Sequence, residues 1–141
     1  QFIAFGTFAN KVYVFDCEKL ETIKSFETLD IIYSTPVWYK ENVIVTCLDK
    51  KIYSFNTESN KKNWEFDTNG RIFSDPIIVS NSVIFGNNSG FVYKLNVESG
   101  KEEGVLVLAE RVVNKSIYLP KENQLLIPSV DNEIFCIKLN F

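Results

Sequence analysis

The side chains that could do chemistry in this chain of 141 residues are carboxylates and thiols, because it contains no histidine. Histidine is the group that titrates nearest neutral pH and the commonest metal ligand. Without it the usual general base is missing, and Ser-His-Asp and Cys-His nucleophile systems are excluded within these residues. The three cysteines, Cys17, Cys47 and Cys136, lie far apart with no C-x-x-C pairing. They cannot close a zinc site by themselves. An odd, scattered set argues against a disulfide framework and favours a reducing compartment, so a cytoplasmic location is expected. Two of the three replace apolar residues inside predicted strands, where a buried thiol behaves as a small hydrophobe.

Among the carboxylates, Asp30, Asp49, Asp75 and Asp131 fall in or beside predicted turns. A pair of acids brought together there could serve glycoside hydrolysis. The plainer reading is that turn aspartates hydrogen-bond their own backbone. Arg71 follows Asn69-Gly70 in a loop, where a guanidinium could anchor a carboxylate of a partner. Trp38 stands where the repeat described below has an aliphatic residue, so it is either core or an interface anchor. Two N-x-S triplets, at Asn87 and Asn114, would accept glycans only in a secreted protein.

The elements that must position these residues are strands. Twelve Phe, six Tyr and many Ile and Val suit a pleated, half-buried surface. The net charge of −3 and the scattering of the 15 basic residues argue against a nucleic-acid or anionic-membrane partner. No apolar stretch approaches the roughly 20 residues needed to cross a bilayer as a helix, so no membrane insertion is expected.

The dominant feature is a repeat. Tyr13, Tyr53 and Tyr93 recur every 40 residues, within V-Y-V-F-D (12–16), I-Y-S-F-N (52–56) and V-Y-K-L-N (92–96), and I-F-C-I-K (134–138) follows. S-T-P-V-W-Y (34–39) and S-D-P-I-I-V (74–79) share the same offset, bringing Pro36 and Pro76 into register. Each period reads as four strands with short polar turns. In the clearest unit the spacing predicts strands over 32–39, 43–48, 51–56 and 63–68. The last unit predicts a strand over 111–119 and a longer turn at 120–124. The strands number three, four, four and three across units 1–31, 32–71, 72–110 and 111–141. One four-stranded sheet cannot bury both faces alone, and a period near 40 residues is the mark of sheets stacked radially as propeller blades. The expected fold is therefore all-β, about three and a half blades of a β-propeller, with the ring incomplete.

The stretch from Ile52 to Trp64 resembles the tryptophan-docking repeat of pyrroloquinoline-quinone-type propellers, and Tyr93 through Lys101 is similar to it with Gly100 intact. Phe73 through Ile77 resembles the segment that opens the next blade in that family. The resemblance implies that Trp64 packs between blades. The equivalent positions hold Lys24 and Gly104, so the docking indole occurs once. The family's quinone enzymes carry adjacent cysteines and a calcium-ligand cluster; neither aligns here, and no cofactor is expected.

The resemblance implies a non-catalytic scaffold for a protein or peptide partner, as in outer-membrane assembly factors and propellers appended to adenylate-forming enzymes. Asp30, Asp49, Arg71, Asp75 and Asp131 are the candidate loop-face contacts. The chain, which has no Met and ends on Leu139-Asn140-Phe141 in a predicted strand, reads as the C-terminal part of a longer protein. The remaining blades, or a second copy in a homodimer, would complete the ring. The alternative is part of a quinone-dependent dehydrogenase or propeller hydrolase whose catalytic residues lie outside these 141.

Overall fold

A computed structural model describes residues 1–139. Asn140 and Phe141, where the expected terminal strand would end, lie outside the described residues. The described residues form β-strands joined by turns, in four antiparallel sheets. The first sheet holds β1 (Phe2–Gly6), β2 (Lys11–Asp16) and β3 (Glu21–Glu27). The second holds β4 (Val37–Tyr39), β5 (Asn42–Thr46), β6 (Lys51–Asn56) and β7 (Lys61–Asp67). The third holds β8 (Ile77–Val79), β9 (Ser82–Gly86), β10 (Phe91–Asn96) and β11 (Glu102–Val107). The fourth holds β12 (Ile117–Leu119), β13 (Gln124–Pro128) and β14 (Ile134–Lys138). Each strand pairs with its sequence neighbours, which is the up-and-down order of propeller blades, and the ring is not closed.

The repeat extends to backbone detail. Tyr13 pairs with Phe5, Tyr53 with Val45 and Tyr93 with Phe85. A register shift falls after Val14, Ser54 and Lys94, again 40 residues apart. Positive φ recurs at Asn10, Lys50 and Gly90, and at Leu20, Asn60 and Gly100. Turn residues with φ > 0 suit the twist of the flanking strands, so these positions set where each hairpin reverses.

Three apolar clusters lie between successive sheets. The first joins Val12, Val14 and Phe26 to Val43, Val45 and Phe55, with the Phe26 and Phe55 rings stacked at 4.7 Å. The second joins Ile44, Ile52 and Trp64 to Val83, Phe85, Tyr93 and Leu95. The third joins Val79, Ile84 and Val92 to Leu125 and Ile127. Alternate residues of β5 thus enter different clusters: Val43 and Val45 face backward and Ile44 forward, and all are fully buried. Covering both faces explains the continuous apolar run of this strand. Full burial of such a side chain contributes about 1.5–3 kcal/mol.

The inner strands are shorter than the sequence predicts. β4 and β8 span three residues each, not eight, and β12 likewise begins at Ile117 rather than Arg111. The preceding segments are loops whose polar groups bond elsewhere. Ser34 Oγ donates to the Thr46 carbonyl at 3.0 Å, and Ser74 Oγ to that of Gly86 at 2.7 Å. Pro36 and Pro76 have no N–H to give a ladder. Ile32, Ile72 and Val112 are buried without being in strands; each is a loop anchor belonging to one of the three clusters. At the outer edge, β7 begins at Lys61, two residues before the predicted start.

Candidate binding surface

The loops that enter the inner strands gather on one edge of the sheets, together with the turns after the second strand of each blade. Backbone bonds tie the two sets: Leu48 N to the Ile31 carbonyl at 3.0 Å, Asn88 N to that of Arg71 at 2.9 Å, and Val130 N to that of Arg111 at 3.3 Å. Because the loop anchors point inward, their neighbours point out. Tyr33 follows buried Ile32 and is 62% exposed; Phe8, in the turn after β1, is 70% exposed. Their rings stack at 6.1 Å with planes 14° apart, and Phe73 meets Tyr33 edge-on at 6.0 Å. Leu29, 75% exposed, stands four residues before Tyr33. The result is a ladder of three aromatic rings, two of them largely in water.

Of the aspartates named from the sequence, Asp30, Asp49 and Asp75 accept hydrogen bonds from backbone N–H groups on this edge. Asp49 accepts from Lys51 N at 2.9 Å, from Leu29 N of the preceding blade at 3.2 Å, and from the Tyr53 hydroxyl. Burial and that carboxylate push the Tyr53 phenol far above its ordinary range. Asp75 accepts from Thr35 N at 2.7 Å, across 40 residues and one blade boundary. Asp30 accepts from its own Ile31 N at 2.8 Å. Arg71 is exposed on the same edge. Asp131 lies beside Glu110, and the shared hydrogen bond raises the Glu110 carboxyl above its ordinary value. Asp30, Asp49 and Asp75 thus serve the backbone, as turn aspartates do.

Among the described residues no group of three or more His, Cys, Asp or Glu is arranged to hold a metal ion. Cys47 is buried, and desolvation pushes its thiol up to about 11; Cys17 is half-buried. Cys136, expected to be a buried strand residue, is exposed, because the outer face of β14 carries no further sheet among the described residues. Trp38 is half-buried and packs against the first cluster.

Trp64 occupies the boundary between the second and third sheets. Its Nε1 donates to the Val97 carbonyl at 3.1 Å and the side chain is buried. The indole lies over Gly100, where an added Cβ would come within 2.6 Å of indole Cδ2. Tyr39 and Lys40 cross the same boundary, the hydroxyl to Asn81 at 2.9 Å and the ammonium to Glu98 at 2.6 Å. Sequence reasoning placed these structural residues but overlooked Phe8, Tyr33 and Phe73. Aromatic side chains in an apolar run read as strand core, and the available signal was the 40-residue spacing of Tyr33 and Phe73 beside the anchors Ile32 and Ile72.

No protein-family model matches the chain. No curated protein matches it either. Solved structures do. BamB from Moraxella catarrhalis is 16% identical with a TM-score of 0.84, over 96% of this chain and 42% of that one. Sqt1 from Saccharomyces cerevisiae is 15% identical with a TM-score of 0.87, over 98% of this chain and 40% of that one. At these identities the likeness is one of fold. The chain spans about two fifths of the length of each.

Proposed function

We propose that this chain is a segment of a non-catalytic propeller scaffold, and that it holds a protein or peptide partner on the edge bearing Phe8, Tyr33 and Phe73. One observation carries the reading: two large aromatic side chains more than half exposed, stacked on each other and touching a third. Clustered exposed apolar surface is unfavourable in water unless something covers it, and aromatic side chains are enriched where proteins meet. Exposed Leu29 extends the apolar patch, and Arg71 supplies a charged rim. The rigid blades beneath hold these loops in place.

The end sheets support a second part of the reading, that further blades cover them. Ile3 and Phe5 of β1, on the face turned away from the second sheet, are 46% and 40% exposed, unlike the buried residues of β5 and β9 in the middle sheets. Further blades of the same polypeptide, or a second copy of this segment, would cover them.

A displayed random-peptide selection against the full-length protein tests the binding reading. The expected result is enriched apolar or aromatic peptides whose binding falls at least about tenfold in a Phe8→Ala/Tyr33→Ala variant of unchanged melting temperature. Enriched peptides that bind the variant equally well would place the contact elsewhere.

A further inference from the structure

β3, β7 and β11 are the outer edge strands of the first three sheets, and the third differs from the others in what it shows to solvent. In the first sheet Lys11 of β2 stands opposite Glu27 of β3 and pairs with it at 3.3 Å. In the second, Lys51 of β6 stands opposite Asp67 of β7 at 3.5 Å and reaches Glu65 at 2.7 Å. The same places in the third sheet hold Phe91 opposite Val107, with Val105 in the place of Glu65. Charged side chains on an edge strand discourage another strand from pairing with it. β11 has none over its last three residues, Val-Leu-Val, and Val105 and Val107 are 47% and 62% exposed.

A missing neighbour does not account for this exposure. Val105 and Val107 lie opposite Tyr93 and Phe91, which pack in the cluster shared with the second sheet. Their side chains are therefore on the face turned toward that sheet, and it has all four strands. The backbone is also placed for pairing. Leu108 N donates to the Gly90 carbonyl at 2.8 Å. Bonded pairs alternate along an antiparallel ladder, so Leu106 and Gly104 turn their polar groups to β10 while Val105 and Val107 turn theirs outward. The register shift after Lys94 confines the regular outward edge to these two residues.

Charge says what kind of strand fits. Just past β11, Glu110 shares a hydrogen bond with Asp131, and Glu133 adds a third carboxylate against the cation Arg111. A positive charge arriving there relieves that repulsion. A second copy of β11 running antiparallel would instead bring its Glu102 and Glu103 to this acidic end.

We propose that the outer edge of β11 receives a strand from a partner protein: an extended, antiparallel segment that begins with a lysine or arginine and continues with β-branched residues at alternate positions. Its backbone completes the N–H and C=O groups of Val105 and Val107, its apolar side chains cover those valines, and its leading cation meets Glu110 and Asp131. Main-chain bonds supply affinity and the alternate side chains specificity, as in other strand additions to a sheet edge. The contact stands on the outer rim and does not depend on Phe8 and Tyr33.

Fluorescence anisotropy of the labelled, capped peptide K-T-V-T-V-T with the full-length protein tests this. The peptide is expected to bind, and N-methylation of its two valines to weaken binding at least about tenfold, since both lost N–H groups face the edge. N-methylation of the threonine between them, whose N–H points away, should leave binding unchanged. Replacing the leading lysine of the peptide by glutamate should weaken it about threefold. Val105→Lys/Val107→Lys, a surface change that restores charge to the edge, should weaken binding at least about tenfold with the melting temperature unchanged. Phe8→Ala/Tyr33→Ala should bind the peptide as the natural protein does. The proposal is overturned if the peptide does not bind, if methylated valines or the lysine variant make no difference, or if the Phe8→Ala/Tyr33→Ala variant loses binding. It is overturned equally by a dimer of the full-length protein that the lysine variant dissociates, which would give the edge to a second copy.

Discussion

Gly100→Ala is the single change through which the stacking of blades can be weighed. Gly100 has φ +69, and a Cβ there would lie 2.6 Å from Cδ2 and 2.7 Å from Cε3 of the Trp64 indole. The left-handed conformation costs an alanine about 1–2 kcal/mol. Moving the indole aside also weakens its Nε1 bond to the Val97 carbonyl, about 1 kcal/mol, and part of its packing. The expected loss is about 2–4 kcal/mol, measured as a lower urea midpoint by circular dichroism. Trp64→Ala removes the ring itself and should cost about 3–5 kcal/mol. In the Trp64→Ala background the steric part of the Gly100 penalty disappears, leaving about 1–2 kcal/mol of backbone strain. The double-mutant cycle should therefore show a coupling of at least about 1 kcal/mol. Equal costs for Gly100→Ala in the two backgrounds would refute the interblade contact.

Gly104→Trp should raise the melting temperature by a few degrees in a thermal scan, because nothing lies within 4 Å of a Cβ placed there and a cavity adjoins it. Ser54→Ala should leave the urea midpoint unchanged or slightly higher, since the buried Ser54 Oγ has no hydrogen-bond partner. Stability should fall with acid. The Lys51 and Lys62 ammonium groups hold Glu65 below its ordinary value of 4.5, the Lys40 ammonium does the same for Glu98, and the Ser82 hydroxyl for Glu103. Depressed carboxylates contribute stability that is present above the unfolded value and lost as pH drops through the folded one. Glu110, raised by Asp131, runs the other way, so Glu110→Gln should raise the urea midpoint at pH 7 while the decline below about 4.5 persists. In a thiol-reagent assay Cys136 should react at once and Cys47 only on unfolding, because burial holds the Cys47 thiol near 11.

The blades were legible in the sequence because Tyr13, Tyr53 and Tyr93 mark the same place in each sheet, and the turns with φ > 0 keep the same spacing. What periodicity could not separate was a buried loop from a buried strand. Ile32, Ile72 and Val112 have strand-like apolar neighbours, yet the serine and proline that follow divert the backbone from the ladder. That error hid the exposed aromatic edge, since residues assigned to a strand would point Tyr33 and Phe73 into the core. Asp49, Asp75 and Asp30, named from the sequence as loop-face contacts, accept from Leu29 N, Thr35 N and Ile31 N and so hold the loop that carries Tyr33. Trp64 was legible as an interblade residue through its motif, whereas the cavity beside Gly104, where the indole is lacking, needs three dimensions to be seen.

Amide hydrogen exchange, with and without a peptide recovered by selection on the full-length protein, tests most directly whether the aromatic edge is the docking surface. Protection is expected in segments 7–10, 28–35 and 69–75, which carry Phe8, Tyr33 and Phe73. Protection confined to the opposite turns, 18–20, 58–60 and 98–100, would contradict the account.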